Sequence, residues 1–246
     1  MVGEQTRLTL SRADRTLTDT KIVDGASLRK ALTILHETYS VPNVVISSIP
    51  LERWLRDLTP PHLRSSVGDH ERSLLCLASV RRAAGGDSTP SSHRRHPSTV
   101  YAGCVPLIPG YFSGVGDLFS ALVLGHYHPQ HSPFPSSIYP EALNGNASSS
   151  SPSPSPSGSL PPLPRAVSLA LTKTYAILRL TETYASSLPP DERTTTDDEL
   201  DELDPERRIR RMRGRELRLV QGRKVLTGEA MGELRLLREW EDFWGN

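Results

Sequence analysis

Between Gly110 and Phe119 the chain reads Gly-Tyr-Phe-Ser-Gly-Val-Gly-Asp-Leu-Phe. Glycines on both sides of Val115 let the backbone approach a ligand closely and aim consecutive N–H groups at one point. Leu118, Phe119, Ala121, Leu122 and Leu124 then predict a helix that opens at Asp117 and runs to about His126. The partial positive charge at its N-terminus adds to those amides. Such a cradle suits a phosphate, or the charge that develops during phosphoryl transfer, and a carboxylate at Asp117 can accept a proton from an attacking hydroxyl. A second reading stays open on the pattern alone, because glycine turns precede many helices and Asp often caps a helix for local reasons.

Other chemistry-bearing residues have plainer explanations. His126, His128 and His131 are spaced as zinc ligands could be, but no cysteine or carboxylate neighbours them in sequence, and imidazoles suit a helix C-terminus. His93 and His96 stand in an arginine-rich loop, and Glu37 fits the polar face of a helix. The basic run Arg207 to Arg215 directly follows the acidic run Asp197 to Glu206, so the two read as a self-neutralising, solvated insertion. Cys76 and Cys104 read as buried free thiols, with a disulfide between them left as an option.

The elements that must position Asp117 follow an α/β grammar. Asp24 to Tyr39 predicts a helix with Ser27 as N-cap and an apolar face of Leu28, Ala31, Leu32 and Leu35. Val44-Val45-Ile46, ending in Ser47-Ser48, predicts a short buried parallel strand. Trp54 and Leu58 anchor a short helix that Thr59-Pro60-Pro61 ends. Ser73 to Ser79 and Thr99 to Ala102 predict two strands joined by a variable loop at a sheet edge, with Val105 to Pro109 continuing the second. Arg165 to Ser187 is a helix, Glu216 to Val220 alternates like a strand, and Trp240 and Trp244 stand four apart as on a closing helix. Pro129 to Pro164, rich in serine and proline, reads as a disordered insertion, and the acidic–basic run as a second.

The formal net charge of the 246 residues is +1, which gives no global attraction to nucleic acid or to an anionic membrane. Met1 to Arg15 is polar, and the longest apolar stretch, Leu118 to Leu124, is far shorter than the ~20 residues that cross a bilayer. The expectation is a cytoplasmic chain, with a nuclear pool as an option. The sequon Asn146-Ala147-Ser148 lies in low-complexity sequence where such triplets arise by chance.

Ser113 to Ala121, Ser-Gly-Val-Gly-Asp-Leu-Phe-Ser-Ala, resembles the Gly-Thr-Gly-Asp-Leu-Phe-Ala-Ala signature of pyridoxal kinases, members of the ribokinase-like superfamily. Leu35-His36 followed by Val44-Val45-Ile46-Ser47-Ser48 resembles that family's Leu-His and Val-Val-Ile-Thr-Ser, and Glu216 to Gln221 is similar to a segment near its C-terminus. The resemblance implies a partial ribokinase-like three-layer α/β/α sheet and transfer of the ATP γ-phosphate to the 5′-hydroxyl of pyridoxal. Asp117 would be the base, and the amides of Gly114, Val115 and Gly116 the anion hole. Ser47 and Ser48 would contact ATP from their strand's end, and Val105 to Ile108 would lie against adenine. It also implies Mg2+, a monovalent cation as an option, and an optional homodimer. At Val115 the family usually has Thr, so a hydroxyl is lost while the N–H remains.

The match starts near Leu17, and Met1 to Arg15 does not look like the family's pyridine-binding part or its magnesium-linked Thr-Pro-Asn-x-x-x-x-Glu segment. The chain by itself is therefore expected to have little or no activity, since phosphoryl transfer depends on positioning. The expected organisation is a divergent segment at 1–16, a nucleotide-binding core at 17–128, insertions at 129–164 and 189–215, a core helix at 165–188, and a closing strand and helix at 216–246. Two other readings are a non-catalytic remnant or interaction module of the fold and another ribokinase-like kinase, such as a hydroxymethylpyrimidine kinase.

Overall fold

The computed structural model describes residues 19–64, 72–82, 96–110, 112–128, 160–190 and 202–245. Met1 to Arg15, His93, His131, the sequon and the Ser/Pro run up to residue 159 lie outside them. The chain divides into two compact units, Met1–Leu107 with Leu237–Asn246, and Ile108–Leu236.

The first unit is built on a four-stranded sheet of β1 (Asn43–Pro50), β2 (Ser73–Arg81), β3 (Ser98–Pro106) and β4 (Arg238–Glu239), in that order and antiparallel at each pairing. The parallel expectation for Val44 to Ile46 is thus corrected. The apolar run that suggested it hides an alternation, since Val44 and Ile46 are buried while Val45 between them is only half-buried, as on a one-faced antiparallel strand. β2 and β3 form the expected hairpin, though as the two inner strands rather than at a sheet edge, with Leu75 opposite Cys104 and Leu77 opposite Ala102. These residues meet Leu28 and Leu32 of helix α1 (Gly25–Thr33), Leu55 of α2 (Arg53–Leu58), and Trp240 and Phe243 in one apolar core.

Helix α1 is capped by Asp24 rather than Ser27: the Asp24 carboxylate accepts from the Ser27 N–H at 2.7 Å, and Ser27 reaches back as the third helical residue of a capping box. A π-turn over Ile34–Thr38 follows and places His36 fully inside. His36 Nδ1 lies 2.7 Å from the Val41 carbonyl, so it carries the proton, and Nε2 lies 2.7 Å from Ser79 Oγ, itself 2.7 Å from Ser98 Oγ. No helix carries the two tryptophans. Trp240 follows β4, its N–H donating to Val100 O at 2.8 Å, and Trp244 donates its indole N–H to Ser98 O at 2.9 Å. They cover the core as expected, but on turns, because pairing with β3 holds this stretch extended.

Cys76 and Cys104 are free and buried. They occupy neighbouring register positions, Cys76 opposite Gly103 and Cys104 opposite Leu75, so the pleat sends their side chains to opposite faces. Burial pushes the Cys76 thiol up to about 12 and that of Cys104 to about 11, so both are inert.

The second unit is helical: α3 (Val115–His126), α4 (Pro162–Ser187), α5 (Pro205–Arg213) and α6 (Arg223–Thr227). Helix α4 begins inside the expected first insertion, with Leu163 and Pro164 already buried. Helix α5 occupies the end of the expected second. Its run of arginines is ordered by Asp204, whose carboxylate caps the first turn and pairs with Arg210 at 2.9 Å. Glu216 to Val220 is not a strand: after one parallel bridge between Ser113 and Glu216, the chain turns along α4. Polar side chains of α4 hold it there, Thr181 Oγ1 accepting from Arg218 N at 3.1 Å and Thr172 Oγ1 from Arg235 N at 2.9 Å. The Arg218 guanidinium lies 4.1 Å from the Tyr184 ring centre, and Lys173 Nζ donates to Leu226 O at 2.6 Å.

Gly222 is the closest seat in this packing, since a Cβ there would lie 2.1 Å from Ile177 Cδ1 although its φ of −88° is ordinary. Gly222→Ala should lower stability by about 1–3 kcal/mol through overpacking alone, read from urea unfolding. Burial lowers the His36 pKa from 6.5, so the unfolded chain takes up its proton first as pH falls. Stability should therefore decline below pH 6.5 and level off once the folded imidazole is protonated. In His36→Gln this slope should flatten, the chain being weaker at pH 7; an unchanged slope would assign it to other groups.

Candidate active site

The glycine turn is fixed from one side by backbone. Ser113 N–H donates to Arg215 O at 3.0 Å and Ser113 bridges Glu216, so the segment leaving α5 anchors the residue before Gly114. Gly114 then takes φ +80°, a left-handed conformation that a side chain would resist, and becomes the N-cap of α3. Helix α3 starts at Val115 rather than at Asp117, which makes Asp117 the third residue of its first turn. The N–H groups of Val115, Gly116 and Asp117 precede the first possible intrahelical acceptor, and that acceptor, Gly114 O, receives Leu118 N–H at 3.0 Å. Above Gly114 and Gly116 there is open space, with no atom within 4 Å of where a Cβ would stand. Asp117 is exposed at the same end, while Phe119 is buried and roots the helix. Gly114, Val115, Gly116 and Asp117 are thus brought together as an open, amide-lined turn with a carboxylate beside it.

The remaining residues divide between the units. Ile108 belongs with the turn's unit, and Ser47, Ser48 and Val105 belong to the sheet unit. Val105 and Ile108 are both buried. Ser47 and Ser48 do not end their strand but form a bulge inside β1: Ile46 pairs with Leu77 and Ile49 with Leu75, so two serines face one residue, Cys76. This extra residue lets Ile46 and Ile49, three apart, enter the same core. Ser48 bears the strain, with φ +61°.

The anchor at Arg215 and Glu216 escaped sequence reasoning, since backbone pairing leaves no residue-type signal. His126, at the far end of α3, is neutral at ordinary pH: burial, then Lys173 and His128, push its pKa down to about 4. Among the described residues no three His, Cys, Asp or Glu side chains gather as metal ligands. No helix among them is long and apolar enough to cross a membrane.

The fold is a mixed α/β, partial ribokinase-like fold of the pyridoxal kinase kind. Pyridoxal kinase from Leishmania donovani in complex with ADP is similar over 93% of this chain and 50% of its own, at 18% identity and a TM-score of 0.50. The same enzyme with ADP and pyridoxine gives 19% identity and a TM-score of 0.48, and pyridoxal kinase from Trypanosoma brucei 16% and 0.46, each over 93% of this chain and 48% of its own. This chain therefore spans about half the length of these kinases. No family model matches the chain, and no curated protein matches it.

The bulge makes a differential prediction. Ser48→Gly should be neutral or stabilising by up to about 1 kcal/mol, because glycine tolerates the left-handed conformation. Ser47→Gly should destabilise by about 0.5–1 kcal/mol. Thermal melts of the two variants check it, and equal losses would remove the strain argument.

Proposed function

We propose that the chain carries the phosphoryl-transfer end of a pyridoxal kinase, moving the ATP γ-phosphate to the 5′-hydroxyl of pyridoxal. The observation that supports this reading best is the first turn of α3, where amides with no intrahelical acceptor, open space and an exposed carboxylate share one helix end. In this reading the N–H groups of Val115 and Gly116, with the backbone of Gly114 bent out of the way, bind the phosphate oxygens that gain charge in transfer. Loss of the family's Thr hydroxyl at Val115 leaves that N–H in place. Asp117 takes the proton of the attacking hydroxyl, so that the oxygen need not develop as a bare alkoxide or as a protonated phosphate ester.

Strain at Ser48 supports a contact with ATP there, since backbone strain gathers at ligand sites. Val105 and Ile108 are assigned to adenine by resemblance only. The described residues do not by themselves form a magnesium site, so no step is routed through the metal; when bound with the nucleotide it would neutralise phosphate charge.

The test measures nucleotide binding and pyridoxal phosphate formation separately. Asp117→Asn should lower turnover by about 10²–10⁴-fold while leaving the Kd for ATP nearly unchanged. ATP binding without turnover in the parent chain would favour a non-catalytic remnant, and turnover on a hydroxymethylpyrimidine instead of pyridoxal a related kinase. Failure to bind ATP at all would overturn the proposal.

A further inference from the structure

Helix α5 is built inside out. It holds five arginines, one glutamate and two apolar residues, Ile209 and Met212. A surface helix ordinarily turns its apolar residues to the core. Here Arg207 and Arg211 are 5% and 7% exposed, while Ile209 and Met212 are 56% and 41% exposed. The seat of the helix explains the inversion. Gly214, one turn beyond Arg211, is buried so closely that a Cβ would lie 2.7 Å from Leu188 Cδ1 just past α4, which turns the Arg207 and Arg211 side of the helix inward.

At about 100° per residue the outward arc runs Arg208, Met212, Ile209, Arg213. Two apolar side chains occupy its centre, and a guanidinium lies on each flank. Glu206 and then Arg210 come next round, and Arg210 is held 2.9 Å from Asp204 and 3.6 Å from Glu206, which leaves the arc to the other two arginines.

We infer that this face of α5 docks an acidic segment of a protein partner that carries apolar side chains. This goes beyond the proposed function and does not depend on it. Exposed Ile and Met rimmed by charge mark a contact surface, and methionine adapts to varied apolar shapes. Guanidinium groups pair with carboxylates through two parallel N–H donors, so flanking Asp or Glu fit Arg208 and Arg213. An anionic bilayer suits the face less well, because two apolar side chains on a helix of 9 residues offer little to bury among acyl chains. Nucleic acid suits it less well too, because its phosphates gain nothing from Ile209 and Met212.

The probe is a short fluorescent peptide with leucine pairs and glutamate pairs alternating at helical spacing, titrated into the whole chain and read by anisotropy. The variants are Ile209→Ser with Met212→Ser and Arg208→Glu with Arg213→Glu, all at exposed positions, with folding checked by circular dichroism. Each pair should weaken binding at least about 10-fold, as should serine for leucine in the peptide. Salt should weaken it as well. No binding by the parent chain, or binding that neither pair weakens, overturns the inference. So does preference for phosphatidylserine vesicles or single-stranded RNA over the peptide. A dimer that Ile209→Ser with Met212→Ser dissolves would overturn it in favour of self-association.

Discussion

Polar side chains buried along one helix bond the backbone of the chain that follows α5, and in the helical unit these bonds set its path. Helix α4 buries Thr172, Lys173 and Thr181. Thr181 accepts from the backbone of Arg218, Lys173 donates to that of Leu226, and Thr172 accepts from that of Arg235. An unmet buried group would cost about 1–3 kcal/mol, so each bond fixes its segment as much as it stabilises it. The chain leaving α5 is thereby laid against α4, and on its way it takes the Ser113 bridge that sets the glycine turn. The open amides of α3 depend on this anchoring, because a freely moving glycine turn would lose entropy on holding any phosphate.

The sheet unit meets a different demand. Ile46 and Ile49 both enter one core, which a regular strand with its period of two cannot arrange. A bulge resolves the conflict at the expense of a left-handed serine, and so the strained residue falls at the position that the kinase resemblance assigns to ATP. In the same unit the His36 ring fills a polar gap between the π-turn and the β2–β3 hairpin, accepting from one side what it gives on the other.

Much of the local structure was legible. The Leu28, Ala31, Leu32 pattern, the apolar runs of β2 and β3, and the long periodicity after Arg165 each led to the right element. The misreadings share a cause. Val44 to Ile46 suggests a parallel strand because three apolar residues in a row hide the alternation of burial, which leaves direction to the connection between strands. Glu216 to Val220 alternates, yet no neighbouring strand edge is offered to it beyond Ser113, and α4's polar groups claim its backbone instead. The arginine run carries no apolar periodicity on its inward side, because that side is made of Arg207, Arg211 and Gly214.

By itself the sequence determined that Gly114, Val115, Gly116 and Asp117 would stand at a helix start, since that rests on φ freedom and on periodicity within a dozen residues. It determined the hairpin and the buried free thiols for the same local reasons. Tertiary structure alone decided the antiparallel sheet order, the bulge at Ser47-Ser48, the Arg215 and Glu216 anchor and the outward face of α5. Each of these depends on which distant backbone or side chain fills a space, and residue type does not encode its partner when that partner is a backbone group.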